Sequence, residues 1–359
     1  MRVMIAGSGL IGGALAHHLA GTGIPAVMCS RRPPVSQPGP AAVAPASVGP
    51  SGVAPVSAGP VTTRPAGAGS STVEDSADLP PAWLALDVTD AAACRAAADL
   101  AQPDAVVLVH GPSDVTWCQS HPAEALAAHT RAAANLVAAV PAAHFIGVST
   151  DNVFRGDADT YDESAIPHPA NAYGRAKLGA EQILRERSAR VTVLRASAVY
   201  GWQPGGGQWL NFFAHCVQQL ERGQPVAAPY DHWNTPLLVD DVVRVIAALL
   251  PAPPSGPLHL GGPDRISRYG WAVAIGQALG RSRDLVAPVR REQTRYACRP
   301  VNACLTSTRL DRLVPVRSLA RHGVAAGTRI LLSQRAAGRP GVQQPGSHPD
   351  AEGDRACIS

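Results

Sequence analysis

Short apolar runs alternate with longer amphipathic segments along most of this chain. Arg2 to Ala6 is apolar without alternation, as a strand covered on both faces reads. A helical pattern follows through Ala14, Leu15, His18 and Leu19, then a second strand at Pro25 to Cys29. Trp83 to Leu86 reads as a short strand that runs through Asp87-Val88-Thr89-Asp90 into an alanine-rich helix. Ala105 to Val109 is another buried strand, Pro122 to Ala139 a long helix, and a strand from near His144 ends at Ser149-Thr150. A helical segment then carries Tyr173 and Lys177, and Val191 to Arg195 is a further strand. This rhythm predicts an α/β fold, a doubly wound parallel Rossmann sheet that binds ligands at the carboxyl ends of its strands. Gly7, Arg31, Asp87, His110 and Thr150 all fall at such ends.

Beyond residue 196 the elements are shorter and mixed. Gly205-Gly206-Gly207 precedes a helix from about Trp209 to Glu221, Pro257 to Gly262 reads as strand and turn, and Tyr269 to Leu279 as another helix. This predicts a smaller substrate-binding lobe over 196–332, partly interleaved with a dinucleotide-binding domain of residues 1–32 and 82–195. Residues 33–81 turn to proline, alanine, glycine and serine and lack the large apolar residues that would offset ordering entropy, so a disordered insertion is expected there. The stretch 333–359 shows no apolar periodicity and reads as a disordered tail.

Composition narrows the function classes. With 46% apolar and 16% charged residues, the 359-residue chain suits a soluble enzyme with a large core. A net charge of +4, spread along the chain, leaves no footprint for nucleic acid or a membrane surface. The seven cysteines show no paired spacing for zinc and fit reduced thiols, and no metal site is expected. No charged leader and no long uncharged apolar window stands out, so neither a signal peptide nor a membrane span is expected, and the location is read as cytoplasmic.

Three motifs carry chemistry. Gly7-Ser8-Gly9-Leu10-Ile11-Gly12 is a GxGxxG between a strand and a helix, where glycines let the backbone approach a pyrophosphate and the helix start offers free N–H groups. Ser30-Arg31-Arg32 follows the second strand, where NAD-specific sites place an acid. A hydroxyl and two guanidiniums suit a 2'-phosphate instead, which favours NADPH, with NADH as the alternative. Tyr173 and Lys177 stand four residues apart, on one helical face, where an ammonium would lower the phenol's pKa and make it a proton donor. Lys177 is the only lysine in a chain whose Lys and Arg total 31.

Read together, these residues carry a family likeness. The chain resembles an extended short-chain dehydrogenase/reductase of the dTDP-4-dehydrorhamnose reductase type over about residues 1–32 and 83–330. The likeness rests on Ser149-Thr150-Asp151-Asn152-Val153-Phe154, Tyr161, Glu163, Pro169, Asn171, Tyr173-Gly174-Arg175, Lys177-Leu178 and Glu181. Leu194-Arg195, Val199-Tyr200-Gly201 and Arg299-Pro300-Val301-Asn302 add to it. It implies that Tyr173 protonates a carbonyl oxygen as hydride arrives, that Lys177 holds the cofactor ribose and lowers the tyrosine pKa, and that Thr150 bonds the same oxygen. It also implies that Asp87 and Val88 flank the adenine and that His110 and Gly111 line the far ribose.

The chain departs from that pattern in places. Its Gly7-Ser8-Gly9 turn is one residue short of GxxGxxG, and His110-Gly111-Pro112 replaces asparagine-alanine-alanine. Asn152 replaces a tyrosine and Ala198 a tryptophan, both on the substrate side with Asp151. The expected activity is NADPH-dependent reduction of a ketone on a sugar-like small molecule, nucleotide-linked or not, in a biosynthetic pathway, and a homodimer is left open. Three alternatives remain. A sugar-nucleotide dehydratase would place a glutamate where Asn152 stands. An NAD-retaining epimerase is compatible with the same motifs, and so is a non-catalytic nucleotide-binding subunit resembling the regulatory one of methionine adenosyltransferase.

Overall fold

The computed structural model describes residues 1–31, 82–202 and 211–337. The apolar runs become strands of one parallel sheet: β1 (Val3–Ala6), β2 (Ala26–Ser30), β3 (Ala82–Ala85), β4 (Ala105–Leu108), β5 (His144–Thr150) and β6 (Val191–Ala196). A seventh strand, β7 (Gly256–Leu260), returns from far along the chain and gives the order β7-β6-β5-β4-β1-β2-β3. Val3 pairs with Ala26 on one side and Ala105 on the other, so the order reverses between β1 and β4. At that reversal the connections leave toward opposite faces and open a crevice at the carboxyl ends.

The helices are α1 (Leu10–Gly21), α2 (Ala91–Ala101), α3 (Val115–Ser120), α4 (Pro122–Ala139), α5 (Ala172–Arg187), α6 (Phe212–Glu221), α7 (Val239–Leu249), α8 (Arg268–Ala278) and α9 (Val324–Ala336), apart from single turns at Leu310–Leu313 and Val316–Leu319. Strand β5 shows why the strands read as unbroken apolar runs. Ile146 and Val148 face a core built with Leu15 and Leu19 of α1 and Val242 and Ile246 of α7. Phe145 faces the other way, among Leu136 of α4 and Leu184 of α5. Each such side chain contributes roughly 1.5–3 kcal/mol by burial, and with both faces covered the middle of the strand, Phe145 to Val148, carries no polar side chain.

The second lobe has its own core, in which Phe213, Val217 and Leu220 of α6, Trp271 and Ile275 of α8 and Leu331 of α9 surround Tyr200. A smaller cluster fastens the loop after β5 to the chain near residue 305: Phe154 stacks on Tyr161 with centroids 4.4 Å apart, and both pack with Leu305. Glu163 clamps the same junction, accepting from the backbone N–H groups of Thr308 and His259, each at 2.9 Å, and from the Ser307 hydroxyl.

Two boundaries differ from expectation. The tail expected to be disordered from residue 333 is helical through Ala336. Polar residues hold that last turn by side-chain partners, which apolar periodicity does not register: Gln334 donates to Asp240, and Arg335 pairs with Glu221. The helix expected from Trp209 is described from Phe212, with the Asn211 side chain capping the Ala214 N–H. The proline-rich stretch 33–81, Gly205-Gly206-Gly207 and the tail beyond Ala337 lie outside the described residues. Among those described, no helix is long and apolar enough to cross a membrane.

Candidate active site

Thr150 ends β5 in extended backbone, and a 3-10 turn, Asp151–Val153, follows at once. Its hydroxyl donates to Asp151 Oδ1 at 3.1 Å and accepts from the Asn152 backbone N–H and amide Nδ2, each at 3.2 Å. Helix α5 is pinned to this turn at its start. Asn171 caps it by accepting from the Gly174 N–H at 2.8 Å and donates to Asn152 Oδ1 at 2.9 Å. A Cβ on Gly174 would lie 2.0 Å from the Asn152 carbonyl oxygen, so glycine is what lets the helix come this close. The result sets Tyr173, on the first turn, in hydrogen-bond reach of the Thr150 hydroxyl.

Lys177 sits one turn further on the same face and donates to the Val148 carbonyl at 2.7 Å. Burial brings its pKa down to about 8, against the opposing pull of Glu181 and Cys118. Tyr173 behaves differently from expectation. Burial first, then the nearby Asp151 carboxylate and Cys118, hold the phenol above its ordinary value, while Thr150 and Arg299 pull the other way. The expected lowering by Lys177 is not what this arrangement produces, because its ammonium is engaged by a backbone carbonyl and desolvation dominates at the phenol.

The crevice at the β1/β4 reversal has the features a dinucleotide requires. Gly7 has φ +123°, and a Cβ on Gly12 would lie 1.9 Å from the Gly7 carbonyl oxygen, so the turn closes only with glycine at both places. Gly9 caps α1 without a side-chain bond, which leaves the N–H groups of Leu10, Ile11 and Gly12 at a helix start, the usual seat of a phosphate. Ser30 accepts from Trp83 Nε1 at 2.9 Å. Arg31 lies close enough to Asp87 and His110 to act on both electrostatically. Arg32 lies outside the described residues. Asp87 is held by the Thr89 hydroxyl and N–H, at 2.6 and 2.9 Å, and Val88 is buried, its carbonyl taking the Asn135 amide at 3.1 Å. Burial, then Arg31 and Lys177, bring His110 down to about 4, so it is neutral at pH 7. Gly111 follows with φ +116° and wraps His129, whose ring a Cβ there would meet at 2.1 Å.

The three residues expected on the substrate side divide. Asp151 is 2% exposed, and its carboxylate takes up Asn152 Nδ2 at 2.7 Å, Ser197 Oγ at 2.7 Å and Asn234 Nδ2 at 3.3 Å. Desolvation raises its pKa. Asp151 is turned inward, where it joins this turn to the second lobe, and Asn152, half-buried, ties the turn to α5 through Asn171. Ala198, at the lobe junction, has φ +40°, unusual for a residue with a Cβ and costing about 1–2 kcal/mol. Sequence reasoning missed His232, Asn234 and Arg268, and it quoted Arg299 without a role. Neither spacing nor periodicity connects them, since Arg268 reads as a helix start and the other three lie on loops or a two-residue strand.

The sequence matches the family described as RmlD substrate binding domain over residues 1–324. A Haloferax volcanii protein named probable low-salt glycan biosynthesis reductase Agl14 is 29% identical over 233 residues, 63% of this chain and 77% of that protein. Methionine adenosyltransferase 2 subunit beta of Bos taurus is 29% identical over 232 residues, 59% of this chain and 65% of that protein. Among solved structures, dTDP-4-dehydrorhamnose reductase of Bacillus anthracis in complex with NADP superposes with a TM-score of 0.69 at 19% identity, over 93% of this chain and 99% of that one.

Proposed function

We propose that this chain, which belongs to the RmlD substrate binding domain family within the extended short-chain dehydrogenases/reductases, reduces a ketone on a sugar-like, nucleotide-linked substrate with NADPH. The observation that carries this reading is the meeting of Thr150, Tyr173 and Lys177 at the crevice where the glycine turn, Arg31 and His110 also converge. The nicotinamide dinucleotide, when bound, supplies a hydride. Thr150 and Tyr173 orient the carbonyl by hydrogen bonding its oxygen, and Tyr173 gives that oxygen its proton as charge develops. A phenol held above its ordinary pKa keeps its proton at neutral pH until an alkoxide forms beside it. Lys177, held one turn further along α5 by the Val148 carbonyl, would hold the ribose hydroxyls of the bound cofactor. Arg31 suits a 2'-phosphate.

Purified protein should oxidise NADPH in the presence of a 4-keto sugar nucleotide. Tyr173→Phe should lower that turnover about 10²–10⁴-fold, and an unchanged rate in the variant would overturn the assignment. The relative named methionine adenosyltransferase 2 subunit beta favours a second reading, a nucleotide-binding subunit that serves a partner. Under that reading no ketone is turned over and Tyr173→Phe leaves partner co-purification intact.

A further inference from the structure

The second lobe holds a buried guanidinium with no partner among the described residues. Arg268 opens α8 and is 9% exposed, yet among the described residues its side chain has no hydrogen-bond or ion-pair partner, and its Nε is enclosed and unsatisfied. Three rings cage it instead: its Cζ lies 4.8 Å from the centroid of Phe212, 4.9 Å from Trp271 and 5.2 Å from Tyr296. Stacking on ring faces favours a cation but leaves the in-plane N–H donors unused. Arg299 stacks on the same Tyr296 ring at 4.6 Å, so two positive charges share one aromatic wall.

Unsatisfied acceptors lie in the same neighbourhood, where Arg268 acts electrostatically on His232 and on Asp151, the partner of Asn234. His232, 1% exposed, has Nδ1 at 2.9 Å from the Pro300 carbonyl, which assigns the proton to Nδ1 and leaves Nε2 a bare acceptor without a partner among the described residues. Asn234, 3% exposed, gives its Nδ2 to Asp151 at 3.3 Å, and its Oδ1 has no partner among the described residues. The Arg268 backbone N–H donates to the His232 carbonyl at 3.0 Å, which joins α8 to this segment. The cluster borders the catalytic turn through Asp151. That carboxylate is already filled by Asn152, Ser197 and Asn234 and makes no ion pair with Arg268 among the described residues. Native interiors rarely leave so many polar atoms together without partners, and a bound molecule with complementary groups would satisfy them.

We propose that Arg268, in its aromatic cage, is the specificity residue for an oxyanion carried by the substrate, while His232 Nε2 and Asn234 Oδ1 receive hydroxyl groups of the same molecule. The site thus takes a hydroxylated molecule bearing a carboxylate or a phosphate and discriminates against a neutral sugar. This rests on the reading that the ketone binds over Thr150 and Tyr173.

Titration calorimetry on the NADP-loaded full chain tests it with three probes: inorganic pyrophosphate, glucuronate and neutral glucose. At least one anion should bind and glucose should not. Arg268→Met, which keeps the volume within the cage, should weaken that anion at least about tenfold while NADP affinity is unchanged. Pyrophosphate binding alone assigns the anion to a diphosphate, glucuronate binding alone to an acid on the sugar, and either supports the proposal. Tyr173→Phe should bind the anion as the wild type does, so a failure of the reductase reading stays separate from a failure here. No anion binding to the wild type, or equal binding by Arg268→Met, overturns it. If the methionine variant does not fold, Arg268→Lys is measured in its place. It keeps the charge without the planar fork and should bind at least about threefold more weakly, and binding equal to the wild type would overturn the proposal.

Discussion

The turn at Thr150–Asn152 and the caged arginine are neighbours built on opposite terms. At the turn, the Thr150 hydroxyl, the Asp151 carboxylate and the Asn152 amide all have protein partners, and Asn171 locks them to α5. Around Arg268, its Nε, His232 Nε2 and Asn234 Oδ1 are enclosed and have no partner among the described residues. A satisfied network holds groups in one geometry, which proton transfer to a fixed oxygen requires. An unsatisfied one is costly until something binds, which suits recognition. The difference separates what the site does from what it does it to.

Removing a charge from the satisfied side should have the largest effect. Lys177→Met is expected to lower turnover about 10²–10³-fold. It also carries a pH signature. With its pKa near 8, Lys177 is charged below that pH and loses its proton as pH rises through it, so NADPH affinity of the wild type should weaken above about pH 8. Affinity that declines there equally in the methionine variant would locate the titration elsewhere.

A smaller effect, on stability, comes from the backbone that carries His110. Gly111→Ala must place a Cβ at φ +116° against the His129 ring. A loss of about 3 kcal/mol is expected from strain and overpacking combined, read as a lower urea midpoint with the slope unchanged. A variant as stable as the wild type would show that His129 yields and that the loop is not held by it.

Smaller again is the clamp between the lobes. Although burial pushes the Glu163 carboxyl up, the bonds from Ser307, Thr308 and the His259 backbone outweigh it and bring it to about 2. Its contribution is therefore full above the unfolded value of 4.5 and lost as pH falls toward 2. Glu163→Gln should cost roughly 2 kcal/mol at pH 7, and the gap from wild type should close in acid. A gap independent of pH would mean that the carboxylate charge is not what holds the junction.

The sheet and the placement of Tyr173 and Lys177 on one helix were legible because their signals are local. Helix α4 begins and ends where its pattern does, at Pro122 and Ala139, and Tyr173 and Lys177 lie one turn apart on a helix whose cap is written beside them as Asn171. The β1 turn was readable for the same reason, as three glycines within six residues. The caged arginine was not, since residues near 212, 232, 268 and 299 meet only through the packing of α6 and α8. The inward partners of Asp151 were not legible for a related reason: Ser197 and Asn234 are distant in sequence. The last turn of α9 was missed because its partners, Asp240 and Glu221, are far away as well.

The central claim is that hydride passes from NADPH to a ketone over Tyr173. The direct measurement is mass spectrometry of the product formed by wild-type protein from a 4-keto sugar nucleotide and NADPH carrying deuterium at the transferring C4 position. The account predicts one deuterium on the new carbinol carbon for each NADPH consumed. Substrate converted with no deuterium incorporated and no NADPH consumed would contradict it.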